Sequence, residues 1–278
     1  MSKIHTKPNI YIQGKNMLKK LALFSAIAAS ISSVHAYQAE IGGSYNHLDY
    51  DNSYYNEDAE GTTYQIDGVY YFNPVEVKNS PLNEAAFLNR ASNLNAKISH
   101  SDHEASWYEW HSNDYSLGIE YFMPNSNFYV NANLGYSKED DDYSETRYSA
   151  EFGYLATPGL LLAVGASGYD GDYGYNELDP TFRIKYVTQA GEYDVNFEAK
   201  VTGGEDTSFN VGADVYLDKT LSIGAAYHDG GELPYNINDI DVFTLRAKKF
   251  FTPSISLEAK ADFGDYIQQY NLRVGYRF

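Results

Sequence analysis

Apolar and polar residues alternate along most of this chain with a period of two. In the last segment, YNLRVGYRF, the residues Tyr270, Leu272, Val274, Tyr276 and Phe278 alternate with polar or small residues. This period indicates a β-strand that is apolar on one face only. About fourteen segments follow the pattern, and no segment after residue 36 has the roughly 18 apolar residues of a membrane-spanning helix.

We therefore predict a chain made almost entirely of β-strands. The predicted strands are residues 37–48, 61–73, 92–101, 113–123, 127–138, 142–156, 160–169, 180–189, 192–203, 207–217, 220–229, 240–251, 254–264 and 267–278.

The connections between the predicted strands alternate in kind. Those after even-numbered strands are mostly short, such as FMPNSN and ATPGL, whereas those after odd-numbered strands are mostly longer or more acidic, such as SDHEASWYEWHS and DGDYGYNELD. Short turns on one side and long loops on the other are typical of an all-β fold, the transmembrane antiparallel β-barrel of the outer membrane. In lipid, a closed barrel gives every backbone group a partner. The alternative, a soluble β-sandwich or β-helix, explains the alternation but not the difference between the two sets of connections.

Residues 1–36 have the features of a secretory signal peptide. Lys19 and Lys20 precede the apolar run LALFSAIAAS, and the sequence V-H-A ends at Ala36. A basic region, a short apolar run and a small residue at the cleavage site direct export. Met17 is a candidate for the true start, and a long basic region is the alternative. We expect residues 37–278 to form a barrel in the outer membrane of a Gram-negative bacterium.

Composition excludes several classes of function. The chain has no cysteine, which excludes disulfide bonds, iron–sulfur sites and thiol nucleophiles. Its formal net charge of -18 argues against nucleic acid as a partner, because phosphate binding requires a basic surface. Its 28 tyrosines suit a boundary between lipid and water, since a tyrosine side chain has one apolar and one polar end.

The alternation also separates two faces of the predicted barrel. The face that carries the large apolar residues holds no charge, as lipid contact requires, because a mid-bilayer Arg or Lys costs about 2–4 kcal/mol. The opposite face carries charges of both signs in nearly equal number, so the acid excess lies in the long loops. The predicted pore-lining residues are Lys97, Glu120, Arg147, Glu151, Arg183, Lys185, Glu198, Lys200, Asp214, Arg246, Lys248, Glu258, Lys260 and Arg273.

One connection after an even-numbered strand is long. Phe72 is followed by NPVEVKNSPLNEAAFLNRAS, in which Ser80 and Pro81 favour the start of a helix. We predict a short helix on the periplasmic side near residues 81–91. The helix either folds into the barrel mouth and narrows it or only covers the rim. The candidate gate residues are Pro81, Leu82, Glu84, Phe87, Leu88 and Arg90.

The same stretch carries a resemblance to a known family. The segment FNPVEVKNSPLNEAAFLNRASNLNA resembles a segment that follows an early hairpin in the general porin family of Gram-negative bacteria. The AYQAEIGGSY start, the acidic loops and the terminal Phe278 are also similar. This resemblance implies an outer-membrane channel for water and small solutes. A terminal aromatic residue, here with Tyr276 beside it in the predicted girdle, also resembles the signal that the barrel-assembly machinery reads, although Arg273 stands where such strands usually carry Gly.

Two other motifs carry candidate chemistry. His100, His103 and His111 lie in one predicted acidic loop, and three histidines are a possible set of ligands for a transition metal. We expect no metal site, because no secondary structure is predicted to fix their geometry. His228 lies beside Asp229, but no suitable nucleophile is predicted near this pair. We therefore expect no cofactor, no metal and no enzymatic activity.

The predicted function is that of an outer-membrane porin through which water, ions and small hydrophilic solutes diffuse. A weak preference for cations is expected, because acidic entrances concentrate them. The alternative is a closed barrel that acts as an adhesin or an envelope structural protein through its acidic extracellular loops. The expected partners are outer-membrane lipid and lipopolysaccharide, the barrel-assembly machinery and small solutes. The sequence leaves the solute, the pore radius and the oligomeric state open.

Overall fold

Antiparallel strands close into a barrel in which each strand pairs with its neighbours in the chain. The computed structural model describes residues 36–52, 57–105, 108–140, 143–172, 176–204, 207–230, 232–233, 237–238 and 241–278. Within these residues the barrel has fourteen strands, and β1 pairs with β14 to close it. The strands are β1 (Ala36–Asn52), β2 (Glu57–Glu76), β3 (Asn93–Ala105), β4 (Tyr108–Phe122), β5 (Phe128–Glu139), β6 (Ser144–Thr157), β7 (Leu160–Gly171), β8 (Asn176–Ala190), β9 (Tyr193–Thr202), β10 (Ser208–Asp218), β11 (Leu221–Asp229), β12 (Val242–Phe250), β13 (Ile255–Gly264) and β14 (Ile267–Arg277). The fold class predicted from the alternation is therefore confirmed.

The first and last strands of the barrel, β1 and β14, pair with each other at the closing seam. The register pairs Ile41 with Tyr276 and Tyr45 with Leu272. The backbone N–H of Phe278 donates to the carbonyl of Ala39 at 3.0 Å, and the N–H groups of Gln38 and Ala39 donate to the carbonyl of Phe278 at 2.8 and 2.9 Å. The last residue is therefore part of the hydrogen-bonded ladder, and the seam leaves no open sheet edge.

Most turns on the side of the chain termini are tight, as the sequence predicts. The β6–β7 turn contains Gly159, whose φ of 82° is in the left-handed region that favours glycine. A Cβ atom at this position would lie 2.2 Å from the carbonyl oxygen of Val187 on β8. The glycine is therefore required both by the turn and by the close approach of the neighbouring strand.

Three hairpins on the opposite side extend further than predicted. β1 continues to Asn52 and β2 begins at Glu57, beyond the predicted limits at residues 48 and 61. β3 continues to Ala105 and β4 begins at Tyr108, so most of the residues predicted as a loop over 101–112 belong to strands. β7 and β8 likewise shorten the connection predicted over residues 170–179. Antiparallel pairing continues in water as long as both strands supply backbone partners, whereas the sequence pattern fades once the lipid contact ends. In the β11–β12 connection, Glu232–Leu233 pairs with Ile237–Asn238.

The long connection between β2 and β3 contains the short helix that the sequence predicts. We call residues 77–92 the plug. The plug has a 3-10 turn, Leu82–Glu84, followed by one α-helical turn, α1 (Ala85–Leu88). The helical part is shorter than the predicted span of residues 81–91 because Arg90 adopts a φ of 53°, which reverses the chain. No helix among the described residues is long and apolar enough to cross a membrane.

Candidate functional site

The outside of the barrel carries a continuous belt of exposed apolar side chains. Each strand contributes at least one large residue that points outward, and Ile66 is 64% exposed. A water-soluble protein rarely exposes a contiguous apolar surface of this size, whereas lipid requires it. One member from each strand is Ile41, Ile66, Ile98, Leu117, Leu134, Phe152, Val164, Phe182, Phe197, Val211, Ile223, Leu245, Ile255 and Leu272.

The inside of the barrel is polar, and ion pairs link its charged side chains. Arg246 makes two hydrogen bonds to Asp214, at 2.7 and 2.8 Å, and Arg183 lies 2.9 Å from Glu151. Lys248 and Lys260 pair with Glu258 and Asp262 at 3.1 and 2.9 Å. Most of these pairs join neighbouring or nearby strands.

A second cluster of charges lies at the closing seam. Arg273 donates to Asp67 on β2 and to Glu40 on β1, the latter at 3.0 Å. Arg277 donates to the other oxygen of Glu40 at 2.6 Å. Charge-assisted contacts of this kind are the strong ones in proteins. The seam is therefore fastened on its inner face by side chains as well as by the backbone ladder.

Two of the predicted pore-lining residues stand apart from these pairs. Within the part of the chain that the structure describes, Lys97 and Lys200 have no ion-pair partner within 4.0 Å, and both line a cavity of about 970 Å³ in the lumen, the upper chamber. Arg147 lines the same chamber, where it pairs with Glu145 and lies 4.0 Å from Asp114. The upper chamber is therefore accessible to water, and its lysine side chains can contact a solute that passes through it.

The plug crosses one mouth of the barrel from wall to wall. It leaves the barrel wall at β2 and rejoins it at β3, and the backbone N–H of Leu82 donates to the carbonyl of Lys219 in the β10–β11 turn at 2.8 Å. In a barrel of fourteen strands, β3 and β10 are seven strands apart and lie on opposite walls. The carbonyl of Leu82 also accepts from Arg277 of β14 at 2.9 Å.

One buried carboxylate holds the centre of the plug. Glu84 is 3% exposed, and its Oε2 lies 2.8 Å from Nζ of Lys185 on β8. The hydroxyl of Tyr216 on β10 donates to its Oε1. Lys185 also lies 2.6 Å from Glu198 on β9, so the lysine bridges the plug and the wall. The carboxylate, although removed from water, therefore has a charged partner and a neutral donor.

The remaining candidate gate residues contact the wall at other points. Pro81 and Leu82 are buried. The ring of Phe87 packs against Phe122 at a centroid distance of 6.4 Å and lies 5.0 Å below Nζ of Lys185. Arg90 reaches the β4–β5 turn, where it donates to the carbonyl of Ser126 at 3.2 Å and to Oδ1 of Asn127 at 3.0 Å. Leu88 is partly exposed and approaches the β6–β7 turn near Gly159.

Two tyrosines that are absent from the predicted set of site residues belong to this site. Tyr216 contacts Glu84, and Tyr129, which is 1% exposed, donates to Glu120 at 2.7 Å and accepts from Arg183 at 3.2 Å. The alternation along the strands could have identified both tyrosines, because each occupies a position whose side chain points into the barrel. An inward-facing tyrosine in a barrel is unexpected in open water and indicates a packed region near the mouth.

The three histidines do not lie in a loop. His100 and His103 are on β3 and His111 is on β4, and the alternation of strand side chains puts His103 on the opposite face from the other two. His103 stacks on Trp110 at a centroid distance of 4.8 Å, whereas His111 contacts Asp140. Among the described residues, no group of three or more His, Asp or Glu side chains has a metal-binding arrangement.

The pair His228 and Asp229 ends β11. Consecutive residues of a strand point to opposite faces, so the backbone holds these two side chains apart. This arrangement does not support the catalytic dyad that their adjacency suggests. At the far end of the chain, the rings of Tyr276 and Phe278 stack at a centroid distance of 5.8 Å, and Phe278 is exposed beside the seam.

A closed barrel with an uncharged outer belt and a polar lumen is an outer-membrane β-barrel protein of a Gram-negative bacterium. The sequence model of the family described as "Putative general bacterial porin" matches residues 17–182, which is more than half of the chain. The chain therefore belongs to this porin family, as its sequence resemblance implies. Family and fold point to a channel rather than an enzyme.

A solved structure has a similar fold. The chain is similar to the outer membrane protein Omp33 of Acinetobacter baumannii, with 26% sequence identity and a TM-score of 0.67 over 88% of this chain and 100% of that chain. It also matches an outer membrane channel from Pseudomonas putida F1, with 9% identity and a TM-score of 0.49 over 90% of this chain and 98% of that chain. No curated protein matches the chain.

Proposed function

We propose that this porin is a gated diffusion channel for water, ions and small hydrophilic solutes, and that the plug is its gate. The observation that carries the proposal is the contrast between the two halves of the lumen. The upper chamber has a volume of about 970 Å³ and contains two lysines that have no ion-pair partner among the described residues, whereas the opposite mouth is crossed by a segment that side-chain contacts hold in place. The plug is also held by two apolar clusters, in which Ala85 packs with Tyr37 and Tyr71 and Phe87 packs against Phe122, so its release requires these apolar contacts to break as well.

A weak cation preference is part of the proposal. The chain carries 38 acidic and 20 basic residues. The inward face of the barrel is nearly balanced, because its nine basic pore-lining residues face the five pore-lining carboxylates together with Glu40, Asp67 and Asp262. The excess of acid therefore surrounds the extracellular entrance and not the wall. A negative entrance raises the local concentration of cations and of positively charged solutes.

The test is reconstitution of the full chain in planar lipid bilayers, with single-channel recording in a KCl gradient. The proposal predicts discrete currents that switch between closed and open levels, with a reversal potential of the cation-selective sign. An anion-selective sign would reject the cation preference alone. A barrel that inserts but conducts no current would reject the channel and favour the closed barrel that acts as an adhesin or an envelope structural protein.

We also propose how the protein is exported to the outer membrane and which molecules it contacts there. Residues 1–36 act as the signal peptide, and Tyr276 and Phe278 act as the signal for the barrel-assembly machinery, which the exposed position of Phe278 supports. The acidic loops bind lipopolysaccharide through bridging divalent cations. The protein has no catalytic activity of its own.

A further inference from the structure

A cavity of about 710 Å³ lies at the rim of the barrel on the side of the chain termini, where β2 ends, β3 begins and β4 turns into β5. We call it the rim cavity. Phe72 of β2 and Tyr121 of β4 line it, and both are exposed members of the outward-facing rows of their strands. One row deeper in the membrane, Tyr70 pairs with Leu94, and both are exposed to lipid. The rim cavity therefore opens to the outside of the barrel, at the aromatic girdle that borders the bilayer.

A small residue between two aromatic residues leaves room for this cavity. The backbone N–H of Phe72 donates to the carbonyl of Ser92 at 2.9 Å, and the hydroxyl of Ser92 accepts from the backbone N–H of Phe122 at 3.0 Å. Ser92 is thereby held between the ends of β2 and β4, and it lines the cavity together with Phe72 and Tyr121. The two aromatic rings therefore form the walls of a cleft that a narrow, partly apolar group can enter.

Arg90 gives the rim cavity its charge. Its exposed side chain lines the cavity, and its Nη1 donates to the carbonyl of Ser126 at 3.2 Å and to Oδ1 of Asn127 at 3.0 Å. Among the described residues, neither Nε nor Nη2 of Arg90 has a partner, and no Asp or Glu lines the cavity. Nε and Nη2 form the pair of parallel donors that binds a phosphate group in a bidentate manner. In a chain with 38 acidic and 20 basic residues, this cavity is therefore a local site for an anion.

We propose that the rim cavity binds the headgroup of an anionic glycerophospholipid. The phosphate accepts from Nε and Nη2 of Arg90, the glycerol lies over Ser92 between the aromatic rings, and the acyl chains lie on Tyr70 and Leu94. Basic pockets at a membrane edge recognise lipid headgroups in this way. Lipopolysaccharide occupies the extracellular leaflet of an outer membrane, so glycerophospholipid is the lipid at this rim. A zwitterionic headgroup fits less well, because its ammonium group finds no carboxylate in the cavity.

Binding is tested by native mass spectrometry of the full chain, purified in detergent as a folded barrel and titrated with lipid. The probes are phosphatidylglycerol and phosphatidylcholine with identical acyl chains. We expect phosphatidylglycerol to bind in preference. Arg90→Gln should weaken its binding by about fivefold, which is the usual contribution of one basic residue at an anionic lipid surface, and should remove most of the preference. Arg90→Lys keeps the charge but not the parallel donors, so it should retain part of the preference.

The matched control is Lys249→Gln, which removes the same charge from an outward-facing position at the same rim. Lys249 does not line the rim cavity and already pairs with Asp218 at 3.4 Å, so its loss should leave the preference unchanged. Heat-modifiable gel mobility verifies that each variant is folded. If Arg90→Gln does not fold, Asn73→Asp serves in its place. This substitution keeps the shape of an exposed side chain and adds a carboxylate to the cavity, so it should also weaken phosphatidylglycerol binding.

Wild-type binding of phosphatidylglycerol by folded Arg90→Gln or by Asn73→Asp overturns this inference, and so does an equal loss in Lys249→Gln. Displacement of the lipid by millimolar inorganic phosphate also overturns it, because the cavity would then be a site for phosphate and not for a lipid. None of these results depends on conductance, since a barrel that passes no current would keep the same site on its outer rim.

Discussion

At the scale of single residues, the plug depends on how the charge of Glu84 is balanced. A carboxylate that is 3% exposed loses most of its hydration, which is replaced by the ion pair with Lys185 and by hydrogen bonds from Tyr216 and, at 3.3 Å, from Asn83. An unpaired buried charge is costly, whereas a paired one is close to neutral in free energy. The closed position of the plug should therefore be sensitive to the loss of either partner.

Lys185→Met should destabilise the docked plug and raise the open fraction of the channel. The substitution leaves both Glu84 and Glu198 without their cation. A penalty of about 1–3 kcal/mol for an unsatisfied buried group corresponds to a five- to 150-fold change in the ratio of open to closed states. The measurement is the open fraction in single-channel records.

The matched control is Lys260→Met, because Lys260 pairs with Asp262 away from the plug. It should leave the open fraction near that of the wild type. Equal effects of the two variants would mean that gating responds to lumen charge in general and not to the plug contact.

The extracellular hairpin offers a pH-sensitive contact at the same scale. His111 on β4 lies four residues beyond the belt residue Tyr115, and Asp140, which directly follows β5, lies four residues beyond Tyr136, so both are outside the lipid. The hydrogen bond from the ring Nδ1 of His111 to Asp140 raises the pKa of His111 above its ordinary value, and the same bond lowers the pKa of Asp140.

Asp140→Asn should lower the pKa of His111 toward the ordinary histidine value. A raised folded-state pKa means that the contact is fully present below the ordinary histidine pKa and is lost as pH rises through the raised one. The measurement is a titration of the His111 ring by nuclear magnetic resonance. An unchanged pKa in Asp140→Asn would show that the two groups do not interact in solution.

At the scale of elements, the sequence predicts the strands, because a local repeating pattern of apolar and polar residues encodes them. Period-two alternation identifies every barrel strand, because each lipid-facing residue must be apolar whatever its neighbours are. The prediction ends β3 too early and begins β4 too late, since strand pairing outside the lipid does not require apolar residues. The docking of the plug on β8 and β10 was not predictable, because Glu84 meets Lys185 across 101 positions of sequence through the closure of the barrel.

Substitution of the glycines in two tight turns tests how closely each turn packs against the neighbouring strand. Gly159 and Gly191 both have positive φ, but a Cβ atom would lie 2.2 Å from the carbonyl of Val187 only at Gly159 and would meet nothing within 4 Å at Gly191. Gly191→Ala should cost about 1 kcal/mol for the left-handed backbone alone. Gly159→Ala should cost clearly more, because β8 must also move.

The free energy of unfolding in urea, measured on vesicle-inserted protein, distinguishes the two. Equal losses would contradict the close packing of the β6–β7 turn against β8. A small loss at both positions would mean that neither turn requires the left-handed conformation.

At the scale of the whole molecule, closure and the apolar belt make one membrane-spanning unit. The seam depends on the final residue, since three backbone hydrogen bonds join Phe278 to Gln38 and Ala39. The ring of Phe278 makes a different contribution, because it is exposed and stacks on Tyr276. The backbone hydrogen bonds stabilise the folded barrel, and we propose that the barrel-assembly machinery recognises the ring.

Phe278→Ser should therefore reduce the amount of assembled barrel in cells several-fold while the protein that does assemble keeps normal stability. The measurement is the heat-modifiable fraction in outer-membrane preparations. Phe251→Ser, in the exposed β12–β13 turn, is the control for loss of an exposed aromatic ring. Equal loss in both variants would show that the position of the ring at the chain end has no special role.

The most direct test of the gated channel is the single-channel conductance of the full chain after deletion of residues 78–91. Loss of the plug opens the mouth that it crosses, so the account predicts insertion as a folded barrel with a larger conductance and without the closed intervals of the wild-type channel. A folded deletion variant with the conductance and closures of the wild type would contradict it, because the plug would then be only a cover on the rim.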